Sequence, residues 1–136
     1  MRILGLDIGS KRIGVAVSDE KEIISIPVEV FNNDGKAGKN LKRLINKYSI
    51  KKIVVGLPYT LKGEIGSQAK NIMAMAESLL NDLEIEVDYV DERYTTKIPL
   101  KISNRRPADT EIDKFSASII LSDYLKRRNR KIEDIK

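Results

Sequence analysis

Three strand-like runs follow one another before any helical spacing appears, and this opening constrains the fold more than any other feature. Arg2 to Ile8 is a near-continuous apolar run, the pattern of a strand covered on both faces. Gly9-Ser10-Lys11 is turn chemistry, and Arg12 to Ser18 (RIGVAVS) reads as a second strand. Ile23 to Phe31 reads as a third, closed by the Asn-Asn-Asp-Gly turn at 32–35. Connections this short make an antiparallel meander. Pro27 cannot donate to a ladder, so the third strand belongs at a sheet edge. A doubly wound nucleotide-binding domain does not begin with such a meander, and neither G-x-G-x-x-G nor G-x-x-x-x-G-K-[ST] occurs.

The hydrophobic period then changes. Leu41, Leu44, Ile45 and Tyr48 follow helical spacing. Lys52 to Leu57 is a short buried strand stopped at Pro58, and Ala69, Ile72, Met73, Ala76, Leu79 and Leu80 mark a second helix with Ser67 as its expected cap. Glu86 to Val90 is the fifth strand. Residues 97 to 109 are polar, basic and interrupted by Pro99 and Pro107, which reads as a flexible crossing, and a last helix spans about Glu111 to Arg127. Right-handed crossovers set the fourth and fifth strands parallel to the first. The expected fold is α/β: a mixed five-stranded sheet of order 3-2-1-4-5 with helices covering it, in a single domain over residues 1–136.

Two absences narrow the chemistry. The chain has no His and no Cys, which removes thiolate nucleophiles, Ser-His-Asp triads, the usual zinc sets and imidazole acid/base catalysis. Carboxylates, lysines, hydroxyls and hard metal ions remain. No apolar run approaches the roughly 20 residues of a membrane span, and the start MRILGLDIG lacks the parts of a signal peptide. A cytoplasmic protein with no membrane partner is expected. The net charge of +5 favours polyanionic partners. The basic run Lys126 to Lys131 (KRRNRK) fits such a partner, or equally a solvated tail.

Asp7 lies inside the apolar Leu4-Gly5-Leu6-Asp7-Ile8, where a carboxylate leaves water at a cost unless something pairs with it. An Asx turn into Gly9, a lysine or a metal ion would serve. Its place at the C-terminal end of a central strand favours a site, because ligands of open sheets collect at that edge. Glu92, in Asp91-Glu92-Arg93-Tyr94-Thr95-Thr96, leaves another strand at the equivalent place, although an acidic pair there also suits a solvated turn or helix cap. Asp113 follows Thr110-Glu111-Ile112 and reads as a third helical residue, where orphan N–H groups and the helix dipole favour a carboxylate. It also shares a helix face with Ala117, Ile120, Leu121 and Tyr124, which aims it at one end of the sheet. In this fold the three acids converge. Three carboxylates on rigid elements suit Mg²⁺ or Mn²⁺, and such an ion needs no histidine or cysteine to activate water.

The stretch Gly5-Leu6-Asp7-Ile8-Gly9-Ser10-Lys11-Arg12-Ile13-Gly14-Val15-Ala16 resembles the opening of the YqgF (RuvX) family. Val54-Val55-Gly56-Leu57-Pro58, Val90-Asp91-Glu92-Arg93-Tyr94-Thr95-Thr96 and Ile112-Asp113-Lys114-Phe115-Ser116-Ala117 follow in that family's order. The resemblance implies a ribonuclease-H-like fold with Asp7, Glu92 and Asp113 as catalytic and metal-holding acids. It implies a nuclease maturing the 5′ end of pre-16S ribosomal RNA, a family also described as Holliday junction resolvases. The segment Lys97 to Thr110 looks shorter than usual, and Ser116-Ala117 replaces a common Ala-Ala. The first bears on which nucleic acid fits, the second on packing.

Lys11, Arg12 and Arg93 are the expected substrate-binding residues, with an ion pair orienting Glu92 or Asp91 as an equal reading of Arg93. The Gly63-Glu64-Ile65-Gly66-Ser67 loop leads into a helix N-terminus, a natural anion site. With two Phe, five Tyr and no Trp, base stacking is a thin resource, so recognition should run through phosphates and duplex shape. The partners expected are structured RNA or branched DNA, bound by a monomer or a homodimer. Resolving a junction requires the dimer. The contrasting reading is a nucleic-acid- or ribosome-associated binding protein whose carboxylates are only structural. Asp7-Ile8-Gly9 also resembles the phosphate loop of actin- and sugar-kinase-type ATPases, but those need two large lobes and this chain supplies one small one.

Overall fold

Alternation along the first strand creates two layers. Leu4, Leu6 and Ile8 face one side of the sheet, and Ile3 faces the other. The computed structural model describes residues 1–58, 66–91 and 109–135, with side chains of the last helix from 115 to 129. Its elements are β1 (Arg2–Ile8), β2 (Arg12–Ser18), β3 (Ser25–Asn32), α1 (Ala37–Tyr48), β4 (Ile50–Leu57), α2 (Ser67–Leu80), β5 (Glu86–Asp91) and α3 (Asp109–Ile135). The strands form one five-stranded sheet in the order β3-β2-β1-β4-β5. The first three are an antiparallel meander, while β4 runs parallel to β1 and β5 parallel to β4. Both order and directions are those expected from the sequence.

On one face, Leu4, Leu6, Ile13, Val15, Ile53, Val55 and Leu57 pack against Leu41 and Leu44 of α1 and Ala69, Ile72 and Ala76 of α2. On the other, Ile3, Ala16 and Val54 pack against Ala117, Ile120, Leu121 and Leu125 of α3. A sheet covered on both faces explains why β1, β2 and β4 read as continuous apolar runs. Pro27 sits on the edge strand β3 beside a register shift between Val15 and Ala16, where the missing donor costs least. Among the described residues no helix is long and apolar enough to cross a membrane.

Three expectations are corrected. Strand β3 starts at Ser25 rather than Ile23. Asp19 Oδ1 accepts from the N–H groups of Ile23 (2.7 Å) and Ile24 (2.9 Å), which holds those residues in the turn with their side chains 59% exposed. Those two donors hold the Asp19 carboxyl below its ordinary range. Helix α2 is capped by Gly66 in extended backbone, with Ser67 its first helical residue and no side-chain cap bond. Helix α3 begins at Asp109 and reaches Ile135, so Thr110 is not its cap and Asp113 is not its third residue. The crossing expected at 97–109 therefore ends inside a helix, and its residues 97–108 lie outside the described ones.

The lower part of α3 is tied down by charge. Arg128 donates to Glu22 Oε2 at 3.0 Å, and Lys51 at the start of β4 pairs with Glu22 Oε1 at 2.5 Å. Arg127 pairs with Asp123 one turn away at 2.9 Å. Part of the basic run is thus committed within the fold rather than lying in a solvated tail. Burial pushes the Glu22 carboxyl up, but the Lys51 hydrogen bond and the Arg128 charge outweigh it and hold the group below its ordinary value. A lowered folded-state value contributes stability that is present above the ordinary glutamate value of 4.5 and is lost as pH falls through the folded one. The Glu22→Gln variant should therefore be less stable than the parent at pH 7, with the gap closing in acid. Urea titrations at pH 7 and pH 3 check this, and a gap independent of pH would refute it.

Candidate active site at the C-terminal edge of the sheet

Asp7 is the next-to-last residue of β1 and stands among buried neighbours while itself only partly buried. It does not lack a partner within the chain, as a carboxylate withdrawn from water requires. Its neighbours across the sheet explain why it fits. On β2 it lies beside Gly14. On β4, the register that puts Leu6 beside Val55 makes Gly56 the next residue along, and Gly56 in turn pairs with Val90 of β5. With glycine on both flanks, neither lateral neighbour brings a Cβ to the side of the sheet on which Asp7 lies. A carboxylate whose lateral neighbours carry no side chain suits a hard ion that keeps several waters, such as Mg²⁺ or Mn²⁺.

The strand register also fixes the face on which Asp91 lies. Asp91 pairs with Leu57, on the face packed by α1 and α2, whereas Val90 packs with the α3 layer. Asp91 is therefore on the face opposite Asp7. Glu92 and Arg93 follow directly in sequence and lie outside the described residues.

Helix α3 is seated so that its N-terminal half approaches the Asp7 edge. Gly5 makes this possible: a Cβ there would lie 2.8 Å from Leu121 Cβ and 3.1 Å from the Ala117 carbonyl oxygen. Ser118 Oγ lies 3.2 Å from Ser25 Oγ. Further along, Tyr124 donates to Asp88 Oδ2 at 2.8 Å and accepts from Lys52 Nζ at 3.1 Å, near the start of β4 and β5. That hydrogen bond to Tyr124 is the main reason the Lys52 ammonium is held above its ordinary value, against the opposing effect of burial. Burial raises the Tyr124 phenol in turn. Arg128 reaches Glu22 beyond the N-terminal end of the sheet. The helix thus runs from the Asp7 edge toward the opposite one. Asp113 lies on it one turn before Ala117, about 6 Å along the axis, and its side chain is outside the described ones.

Of the three expected acids, then, only Asp7 has a described side chain. Among the described residues no three of His, Cys, Asp or Glu gather as a metal set. Lys11 is exposed in the turn after Asp7, and Arg12 is partly buried and engaged within the chain. Both lie at the Asp7 edge. Arg127 and Arg128 are spent on Asp123 and Glu22, with the Glu22 pair at the far edge. Residues 63–65 of the expected anion loop are outside the described residues. Sequence reading overlooked the glycines flanking Asp7, because their pairing is visible only in the sheet register. It also overlooked Asn33, which looked like an ordinary turn residue.

Comparison with known proteins agrees with this architecture. A family model described as RuvX, Holliday junction resolvase, matches residues 1–127. A relative from Sulfurihydrogenibium sp. is 46% identical over 131 residues, covering 93% of this chain and 90% of its own. One from Desulforudis audaxviator is 37% identical over 136 residues, covering 94% and 96%. Both bear the name "Putative pre-16S rRNA nuclease". Among solved structures, Thermus thermophilus RuvC in complex with Holliday junction substrate superposes with a TM-score of 0.59 at 12% identity, covering 94% of this chain and 95% of that one. The fowlpox virus Holliday junction resolvase gives 0.51 at 13%, covering 93% and 99%. At these identities the superpositions establish the fold alone, which is ribonuclease-H-like. With a family model spanning nearly the whole chain and relatives of matching length, this protein belongs to the RuvX (YqgF) family.

Proposed function

We propose that this chain is a metal-dependent endonuclease that hydrolyses phosphodiester bonds in 5′-end processing of pre-16S ribosomal RNA. The observation that carries the reading is Asp7 itself: a partly buried carboxylate at the C-terminal edge of the central strand, between two glycine positions. Asp7, Glu92 and Asp113 would hold the ion. Glu92 follows the last residue of β5 in the sequence, and Asp113 belongs to the helix that packs on the Asp7 face of the sheet. A bound Mg²⁺ or Mn²⁺ supplies a nucleophilic water at neutral pH and offsets charge on the leaving oxygen. Lys11, Arg12 and Arg93 would hold phosphates close to that edge, and Lys11 does so from an exposed turn. The full-length relatives named for pre-16S rRNA favour RNA as the substrate.

A second reading, resolution of branched DNA, is favoured by the description of the matching family model. It would require a homodimer making paired cuts. The deciding experiment offers a precursor 16S 5′-leader RNA and a four-way DNA junction side by side, with Mg²⁺, with Mn²⁺ and with EDTA. Metal-dependent cutting of the RNA is the expected result. Cutting of the junction alone would select the second reading, and binding without cutting under either metal would make the chain a non-catalytic binding protein.

A further inference from the structure

We infer that Asn33 is a positioning residue for substrate, holding the turn that follows Asp7 so that Lys11 is presented to the phosphate backbone. The inference rests on the reading of this edge as a nucleic-acid site. The turn between β1 and β2 is tight: the Gly9 N–H donates to the Arg12 carbonyl at 2.8 Å, and a Cβ at Gly9 would lie 2.8 Å from that same oxygen. Such a turn leaves its other carbonyls to find donors elsewhere. Asn33 supplies two. Its side-chain amide donates to the Gly9 carbonyl at 2.8 Å, and its backbone N–H donates to the Lys11 carbonyl at 2.8 Å. One residue from the β3–α1 connection therefore grips the turn on both sides of Ser10.

Asn33 is itself held. The next residue, Asp34, accepts from the Lys36 N–H through its side chain (2.9 Å) and from the Ala37 N–H through its carbonyl (3.1 Å), which welds the connection to the start of α1. The second amide hydrogen of Asn33 points to Met75 Sδ of α2 at 3.5 Å. The turn is thus referenced to the helical layer and not only to its own strands. Asp7 depends on this less, because the β1–β2 ladder already sets its backbone opposite Gly14. Lys11 lies outside that ladder, exposed, with its carbonyl on Asn33. Loss of the Asn33 amide should therefore fall on substrate binding more than on turnover.

The test measures binding of the 5′-leader RNA to the full chain in EDTA across a salt series, for the parent, Asn33→Ala, Asn33→Asp, Lys11→Ala and the Asn33→Ala/Lys11→Ala double variant. Lys11→Ala should reduce the salt slope by about one, as expected for one lost phosphate contact. Asn33→Ala should weaken binding about five-fold, the worth of one hydrogen bond, and add little in the Lys11→Ala background, since both act through the same contact. Asn33→Asp keeps the size and loses the donor but adds a negative charge, so it should weaken binding more than Asn33→Ala, with the excess fading at high salt and the loss of the hydrogen bond remaining. It carries the test if the alanine variant does not fold. With Mg²⁺ present, KM should rise and kcat should change much less. Parental affinity and slope in folded Asn33 variants, or losses that simply add to that of Lys11→Ala, would overturn the inference and leave Asn33 a purely structural link. A parent that binds RNA salt-dependently yet never cuts would instead refute the nuclease reading while this cycle still decides Asn33. A parent that does not bind at all would overturn both.

Discussion

Replacing Asp7 with Asn should lower metal-dependent cleavage by about a thousand-fold or more while leaving the protein folded. An ion that organises water and neutralises the leaving oxygen is worth several kcal/mol at the transition state, and each 1.36 kcal/mol is roughly a factor of ten. Asn keeps the shape of Asp and still offers one oxygen, but it removes the negative charge that a hard divalent ion requires. Stability should not suffer. The carboxylate is only partly buried near the end of β1, its lateral neighbours Gly14 and the Gly56 position bring no Cβ against it, and the amide keeps one oxygen for its partner within the chain. Thermal melting, metal titration and cleavage of the leader RNA, run together, check all three parts. A folded Asp7→Asn variant that cuts at the parental rate with the same metal dependence would remove Asp7 from the site.

The second large effect concerns Gly5, which makes no chemistry. Gly5→Ala should destabilise the fold by about 2–3 kcal/mol, the upper part of the range for overpacking a filled core. Its new Cβ would meet Leu121 Cβ at 2.8 Å and the Ala117 carbonyl oxygen at 3.1 Å. Neither is the yielding tip of a long side chain. One is the root of a buried leucine and the other is helix backbone, so α3 must lift as a body. Leu121→Ala would not relieve the contact, because alanine keeps the offending Cβ. Urea unfolding should show a lower midpoint with an unchanged slope. Because the displaced helix also carries Asp113, cleavage should fall at temperatures where the variant is still folded. A Gly5→Ala variant as stable and as active as the parent would mean that α3 is not seated as closely as the structure places it.

Much of the architecture is local information. The short apolar runs, the turn residues at 9–11 and 32–35, Pro27 at the edge and Pro58 after β4 each act within a few residues, and together they admit few sheet orders. Where local reading failed, a longer-range or finer competitor won. Ile23 and Ile24 have strand propensity, but the Asp19 carboxylate captures their N–H groups and delays β3 to Ser25. Ser67 is a favoured cap residue, but Gly66 already occupies the extended capping position. The basic stretch from Lys126 read equally as a polyanion contact or a solvated tail, yet α3 continues through it and Arg128 is anchored by Glu22, a residue far away in sequence.

The sequence by itself determined the element order, the sheet topology, the class of chemistry left open without His and Cys, and Asp7 as an anomalous buried-strand acid. Those follow from periodicity, backbone chemistry and composition, which act along the chain. Only the tertiary structure decided that Asp7 is flanked by glycine, that Asp91 faces the other layer, that Gly5 admits α3, and that Asn33 grips the Gly9–Arg12 turn. Each of these depends on register across strands or on contact between segments distant in the chain. Such contacts arise from close packing and the need to satisfy buried backbone groups, and no spacing within one segment encodes them.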